Sequence, residues 1–119
     1  MDTLTDLEQK VIVRRAIDQF IEFLNQAEAK FIAERFPTLK ADTFWVDAGK
    51  KYLRIAQGNA DGTGARVHCF IDALTGDVYK AATWKAPALN GARYNLLDEA
   101  SLEKLKQVWD PYGSYLYKR

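Results

Sequence analysis

At 119 residues, with 48% hydrophobic and 28% charged side chains, the chain has the size and make-up of one globular domain around a single core. Its 17 basic and 16 acidic residues leave a net charge of +1, too little for the global field that draws a protein to nucleic acid or a membrane surface, so a charged partner has to be met by a local patch. One cysteine and one histidine exclude an internal disulfide framework and a zinc site of the usual four protein ligands.

The leading residues Met1-Asp2-Thr3-Leu4-Thr5-Asp6 lack the basic start and apolar run of a signal peptide, and no run of about 18 apolar residues is present to span a bilayer. The expected location is therefore the cytoplasm, with no membrane partner. Charge is uneven along the chain. Residues 1–36 carry five basic and seven acidic side chains, residues 50–94 seven and three. No repeat or linker separates the two parts, so they are expected to be two faces of one domain.

Thr5 followed by Glu8 has the pattern of a capping box, in which each side chain satisfies a free backbone N–H at a helix start. Val13, Ile17, Phe20, Leu24, Ala27 and Phe31 then recur at steps of four and three and form one stripe, and Pro37 sets the stop. The spacing predicts a helix from Asp6 to Arg35, about 45 Å long at about 1.5 Å per residue. Ile12, Ala16, Ile21 and Phe23 widen the apolar surface beyond the stripe. That width fits either one broad core face or a core face with a second face for another subunit, and a homodimer is expected from the latter.

From Thr43 to Tyr79 the period changes to two: Phe44 and Val46, Leu53 and Ile55, and Val67, Cys69 and Ile71 alternate with polar neighbours. Strands are predicted near 41–47, 51–57, 65–72 and 77–81. They are separated by the turn Asp47-Ala48-Gly49-Lys50, a glycine-rich loop from Gly58 to Gly64, and the turn Leu74-Thr75-Gly76-Asp77. Residues 81–95 have neither period and read as a long irregular loop, which Trp84 and Leu89 require to pack against something. Ser101 is the expected N-cap of a short helix over Leu102 to Trp109, stopped by Pro111. The fold class is α+β: a long N-terminal helix packed on a four-stranded antiparallel meander, an irregular loop and a short C-terminal helix.

No catalytic constellation emerges. His68 and Cys69 are adjacent in a strand, so alternation points them to opposite faces and removes a Cys–His dyad. Ser101 and Ser114 lie in no nucleophile elbow, and the Gly58–Gly64 loop lacks the Gly-Lys-Ser/Thr end of a phosphate loop. Asp61 alone does not make a calcium loop, and Asp47, Asp72 and Asp77 fit turn positions that bind nearby backbone N–H groups. No cofactor, metal site or enzymatic activity is expected.

A face is more informative. Alternation sets Tyr52, Arg54, Arg66, His68 and Phe70 opposite Leu53, Ile55, Val67 and Cys69, and Lys80, Trp84, Lys85, Arg93 and Tyr94 follow in the loop after the last strand. Such a mixture of cations and rings stacks a base and pairs with phosphate, so Tyr52, Arg54, Arg66, His68, Lys80, Trp84, Lys85, Arg93 and Tyr94 are the candidate ligand contacts. A nucleotide or short single-stranded nucleic acid is the expected partner. Two readings stand beside it: a basic surface that merely solvates the sheet, and a protein-interaction module that self-associates through the long helix or docks on another protein.

The segment Val67-His68-Cys69-Phe70-Ile71-Asp72-Ala73-Leu74-Thr75-Gly76-Asp77-Val78-Tyr79-Lys80-Ala81-Ala82-Thr83-Trp84-Lys85-Ala86-Pro87, continuing to Gly91-Ala92-Arg93-Tyr94-Asn95, resembles a stretch of small uncharacterised proteins of tailed bacteriophages. The shared pattern is a strand, a Thr-Gly-Asp turn, a strand, Trp-Lys-Ala-Pro and an Ala-Arg-x-Asn element, with the preceding Lys50-Lys51-Tyr52-Leu53-Arg54-Ile55 strand. Tyr94 stands where that family more often has glycine. The resemblance implies a phage or prophage origin and action in the cytoplasm of an infected host, in host takeover, counter-defence, genome handling or virion assembly. It carries no activity with it.

Overall fold

A computed structural model describes residues 5–47 and 49–117. The first four residues, read above for a leader, and Ala48 of the first predicted turn lie outside the described residues. Helix α1 runs over Asp6–Arg35 as the spacing predicts. Thr5 Oγ1 accepts the Glu8 amide at 3.1 Å while the Glu8 carboxylate accepts the Thr5 amide at 3.2 Å, which closes the capping box. At the other end the Phe36 amide donates to the Ile32 carbonyl one residue before Pro37. The long axis of the molecule, 54 Å, reflects this helix.

Strands β1 (Thr43–Asp47), β2 (Tyr52–Gly58), β3 (Arg66–Asp72) and β4 (Asp77–Tyr79) form the expected antiparallel meander, and β5 (Tyr94–Asn95) adds a fifth strand beside β4. β5 falls inside the stretch read as irregular, because two residues carry no visible period. The sheet and α1 enclose the core: Val13, Ile17, Phe20 and Leu24 from the helix meet Phe44, Ile55, Cys69, Ile71 and Val78. Each of these large apolar side chains contributes about 1.5–3 kcal/mol by leaving water. The stripe departs from expectation after Leu24, where the next buried position is Glu28 rather than Ala27. Phe31 lies half-buried at the end of the core, edge-on to Tyr112.

Strand β1 is a sheet edge, and α1 covers part of it. Asn25 receives the Phe44 amide on Oδ1 at 2.7 Å and donates Nδ2 to the Phe44 carbonyl at 3.1 Å. One side-chain amide thus does for Phe44 what a neighbouring strand would do. Phe23, whose position fits either a broad core face or a face for another subunit, packs edge-to-face on Trp109 with ring centroids 6.2 Å apart. It belongs to the intramolecular contact with the C-terminal segment.

Helix α2 spans Glu99–Val108, three residues ahead of the expected start, and its N-cap is Asp98 rather than Ser101. Asp98 accepts the Ala100 amide at 3.1 Å, and the Asn95 side chain accepts the amides of Leu97 and Asp98, so the turn is already complete upstream. Ser101 Oγ instead accepts the Asn95 amide at 2.8 Å and ties α2 to β5. The chain then crosses the helix side of the sheet through Trp109–Tyr112 and ends in a 3₁₀ turn at Ser114–Leu116.

Candidate ligand-binding site

The site residues are distributed by one irregularity in β3. Ile55 pairs with Cys69, but the next residue, Ala56, pairs with Val67, so His68 is an extra residue and forms a β-bulge. Beyond it the alternation restarts one residue out of step: Arg66 pairs with Gln57 on the helix side, and Val67 with Ala56 on the outer side. The expectation that Arg66, His68 and Phe70 share one face with Tyr52 and Arg54 is therefore corrected for Arg66 and His68. The opposed placement of His68 and Cys69 fails for the same reason, since both are turned into the interior. His68 is only 7% exposed, edge-on to Phe44 with centroids 5.0 Å apart, and its Nε2 lies 2.6 Å from the Tyr115 hydroxyl. Burial lowers its pKa to about 4, and burial alone pushes the Cys69 thiol up, so the imidazole is neutral and the thiol protonated at pH 7.

Tyr52, Arg54 and Phe70 do share the outer face, in register with Asp72, Phe70 and Tyr79 respectively across the neighbouring strands. Alternation adds Trp45 to this face, through its pairing with Ala56. The stretch after β4 is not structureless. Ala81 and Pro87 form a β-bridge, the Ala88 amide donates to the Lys80 carbonyl, and Thr83 Oγ1 accepts the amides of Lys85 and Ala86. The product is a short hairpin whose tip carries Trp84 and Lys85.

Arg54 anchors that tip to the sheet. Its Nη1 pairs with the Asp47 carboxylate at 3.0 Å, its Nε donates to the Trp84 carbonyl at 2.6 Å, and its guanidinium carbon stands 4.4 Å from the Trp84 ring centroid. The guanidinium is thus spent within the chain, and its effect is to fix the indole. Trp84 nevertheless keeps 40% of its surface exposed. Tyr52 and Tyr79 pack edge-to-face beside it at 5.8 Å, with the Lys51 ammonium 5.5 Å from the Tyr52 ring. Lys85 is exposed at the tip, and its ammonium has no hydrogen-bond partner among the described residues.

The remaining candidates lie elsewhere. Arg93 donates Nε to the Leu116 carbonyl at 2.6 Å and Nη1 to Asn90 and to the Gly91 carbonyl, which makes it a clamp on the C-terminal turn. Tyr94 donates its hydroxyl to the Tyr115 carbonyl at 3.2 Å. Arg66 pairs with Asp42 at 2.7 Å, and Lys80 donates to the Ala81 carbonyl while standing 4.6 Å over the Tyr117 ring. Of the nine candidates, the structure brings together Tyr52, Arg54, Trp84 and Lys85 on the outer side. Arg66, His68 and Lys80 line a cleft of about 250 Å³ under the C-terminal turn, and Arg93 and Tyr94 line a second of about 420 Å³.

Sequence reasoning missed Trp45 and the exposed ring of Tyr117. Trp45 was recoverable from alternation in β1, whereas Tyr117 depends on a C-terminal path with no local signal. Among the described residues no helix is long and apolar enough to cross a membrane, and no group of three or more His, Cys, Asp or Glu is placed to hold a metal.

The chain matches, over residues 2–118, the model of a family described as a family of unknown function, DUF7717. The chain belongs to that family. No curated protein matches it, and no solved structure does.

Proposed function

We propose that this DUF7717 member is a non-enzymatic binding protein that holds a short single-stranded nucleic acid, or a nucleotide, on the outer face of its sheet. The observation that carries the reading is the Trp84 indole, backed by Arg54 at 4.4 Å and still 40% exposed. An aromatic ring fixed before binding loses little freedom when a base stacks on it. Trp45, Tyr52 and Tyr79 extend the aromatic surface, which suits more than one base, while Lys85 and Lys51 stand beside it for phosphate. Arg54 is a positioning residue in this reading, and Arg93 and Arg66 are held by internal acceptors. The modest basic count and the net charge of +1 favour a short strand over a duplex footprint. The resemblance to phage proteins supports placing this activity in the cytoplasm of an infected bacterium.

The test is binding of a labelled oligonucleotide by fluorescence anisotropy. Trp84→Ala is expected to weaken it by about 1–3 kcal/mol, the usual worth of one stacked base. Lys85→Gln is expected to reduce the salt dependence of the affinity. Equal affinity of wild type and Trp84→Ala would overturn the reading.

A second reading is self-association through the start of α1, where Leu7 is 73% exposed and Val11 follows one turn later, also exposed. A homodimer that dissociates on Leu7→Glu, by light scattering, would support it. A monomeric wild-type protein would remove it.

A further inference from the structure

We propose that the cleft under the C-terminal turn is a separate binding site for a small oxyanion, a phosphate or carboxylate group held between His68, Lys80 and Arg66. The β3 bulge turns His68 and Arg66 away from the outer face, so this site stands or falls independently of the Trp84 surface.

The cleft has about 250 Å³, at the small end for ligand pockets, and its lining includes no carboxylate. Its charged side chains, Arg66 and Lys80, are both cationic. Lys80 gives one N–H to the Ala81 carbonyl and retains two. Arg66 bonds Asp42 through Nη2, which leaves further N–H groups of its fork. His68 contributes the most defined group. Its Nε2 is engaged by the Tyr115 hydroxyl, and Nδ1 has no hydrogen-bond partner among the described residues.

The buried phenol of Tyr115 holds its proton, and burial keeps the imidazole neutral at pH 7. Among the described residues Nε2 is the one hydrogen-bond partner of the Tyr115 hydroxyl, so we assign the hydroxyl hydrogen to that bond and the ring hydrogen to Nδ1. The wall opposite is Gly113, with a φ of +77°. A Cβ there would lie 3.7 Å from His68 Cε1 and 3.9 Å from Nδ1, so glycine is both the residue the backbone allows and the one that leaves the imidazole edge uncovered. Tyr117 stands at the rim beneath the Lys80 ammonium. Two cationic side chains beside an uncharged imidazole edge form a site that an acceptor with negative charge completes.

The single histidine makes the test direct. Nitrogen-resolved NMR of the imidazole in the full chain at pH 7 observes His68 alone. The free protein is expected to show hydrogen on Nδ1. Titration with inorganic phosphate, and separately with acetate, is expected to give a saturable shift of the imidazole signals with at least one of them, and the stronger response identifies the group preferred. Lys80→Gln is expected to weaken that response about tenfold or more while the His68 tautomer is retained. Hydrogen on Nε2 would overturn the proposal. So would signals that stay fixed, or drift without saturating, up to concentrations on the order of 10 mM of both anions. An unaltered affinity in a folded Lys80→Gln protein would overturn it equally.

Discussion

Glu28 offers a sharp test of the packing. Its side chain is 2% exposed on the core stripe of α1, and Oε1 has no hydrogen-bond partner. Burial raises its pKa, the Asp42 amide opposes that rise, the Asp42 carboxylate adds to it, and Arg66 opposes it. The folded state therefore holds the Glu28 proton more tightly than the unfolded chain does. A raised carboxyl pKa costs stability above the folded pKa, and the cost disappears as pH falls toward the ordinary carboxyl value near 4.3. Glu28→Gln keeps an acceptor for the Asp42 amide and removes the buried charge. A buried charge short of partners costs more than a neutral amide in the same place, so a stabilisation of about 1–2 kcal/mol at pH 7–8 is expected. In a chain of this size that raises Tm by about 4 °C per kcal/mol. Urea titrations of both proteins from pH 4 to pH 8 are the assay. The stability difference should vanish near pH 4. A Glu28→Gln protein less stable than wild type at pH 8 would refute the reasoning, because it would show the carboxylate to be net stabilised by Arg66 and the Asp42 amide.

His68 titrates with the opposite consequence. Its folded pKa of about 4 lies below the ordinary 6.5, so stability is expected to fall as pH drops from 6.5 toward 4, by about 3 kcal/mol when complete; chemical shifts of the lone imidazole should show it still neutral at pH 5. Asn25→Ala strips the Phe44 amide and carbonyl of their partner and is expected to cost about 1–3 kcal/mol in urea melts, with an added tendency to self-associate through the opened edge, read by light scattering. Phe23→Ala removes the edge-on contact with Trp109 and is expected to destabilise by about 2–4 kcal/mol without changing the subunit count; a dissociating dimer would return Phe23 to a subunit interface. Cys69, fully buried with its thiol pKa raised, is expected to react with a thiol reagent only at the rate of unfolding.

The helix was legible because its signals are local. Thr5 with Glu8 marks one end, Pro37 the other, and the stripe from Val13 to Leu24 lies between them. The meander was legible because Phe44, Ile55, Cys69 and Ile71 keep a period of two up to the bulge. Past Cys69 toward Arg66 that inference failed, since an inserted residue leaves composition unchanged while reversing every face assignment beyond it. Glu28 stood outside any pattern because a charge at a core position is explained only by what surrounds it, here the Asp42 loop and Arg66. The roles of Arg54 and Arg93 were unreadable for a related reason. A guanidinium drawn to phosphate and one drawn to a backbone carbonyl look the same in sequence, and only the path of the 81–93 segment and the C-terminal turn decides between them.

The outer face is best tested by following the three tryptophan indole N–H signals while a short oligonucleotide is added to the intact protein. Binding by stacking on the hairpin tip predicts that the Trp84 signal moves first and saturates with the backbone amides of Tyr52, Tyr79 and Lys85, while Trp109, packed on Phe23, stays fixed. Saturation of signals around Leu7 and Val11 with Trp84 unmoved, or no response at all, would contradict it.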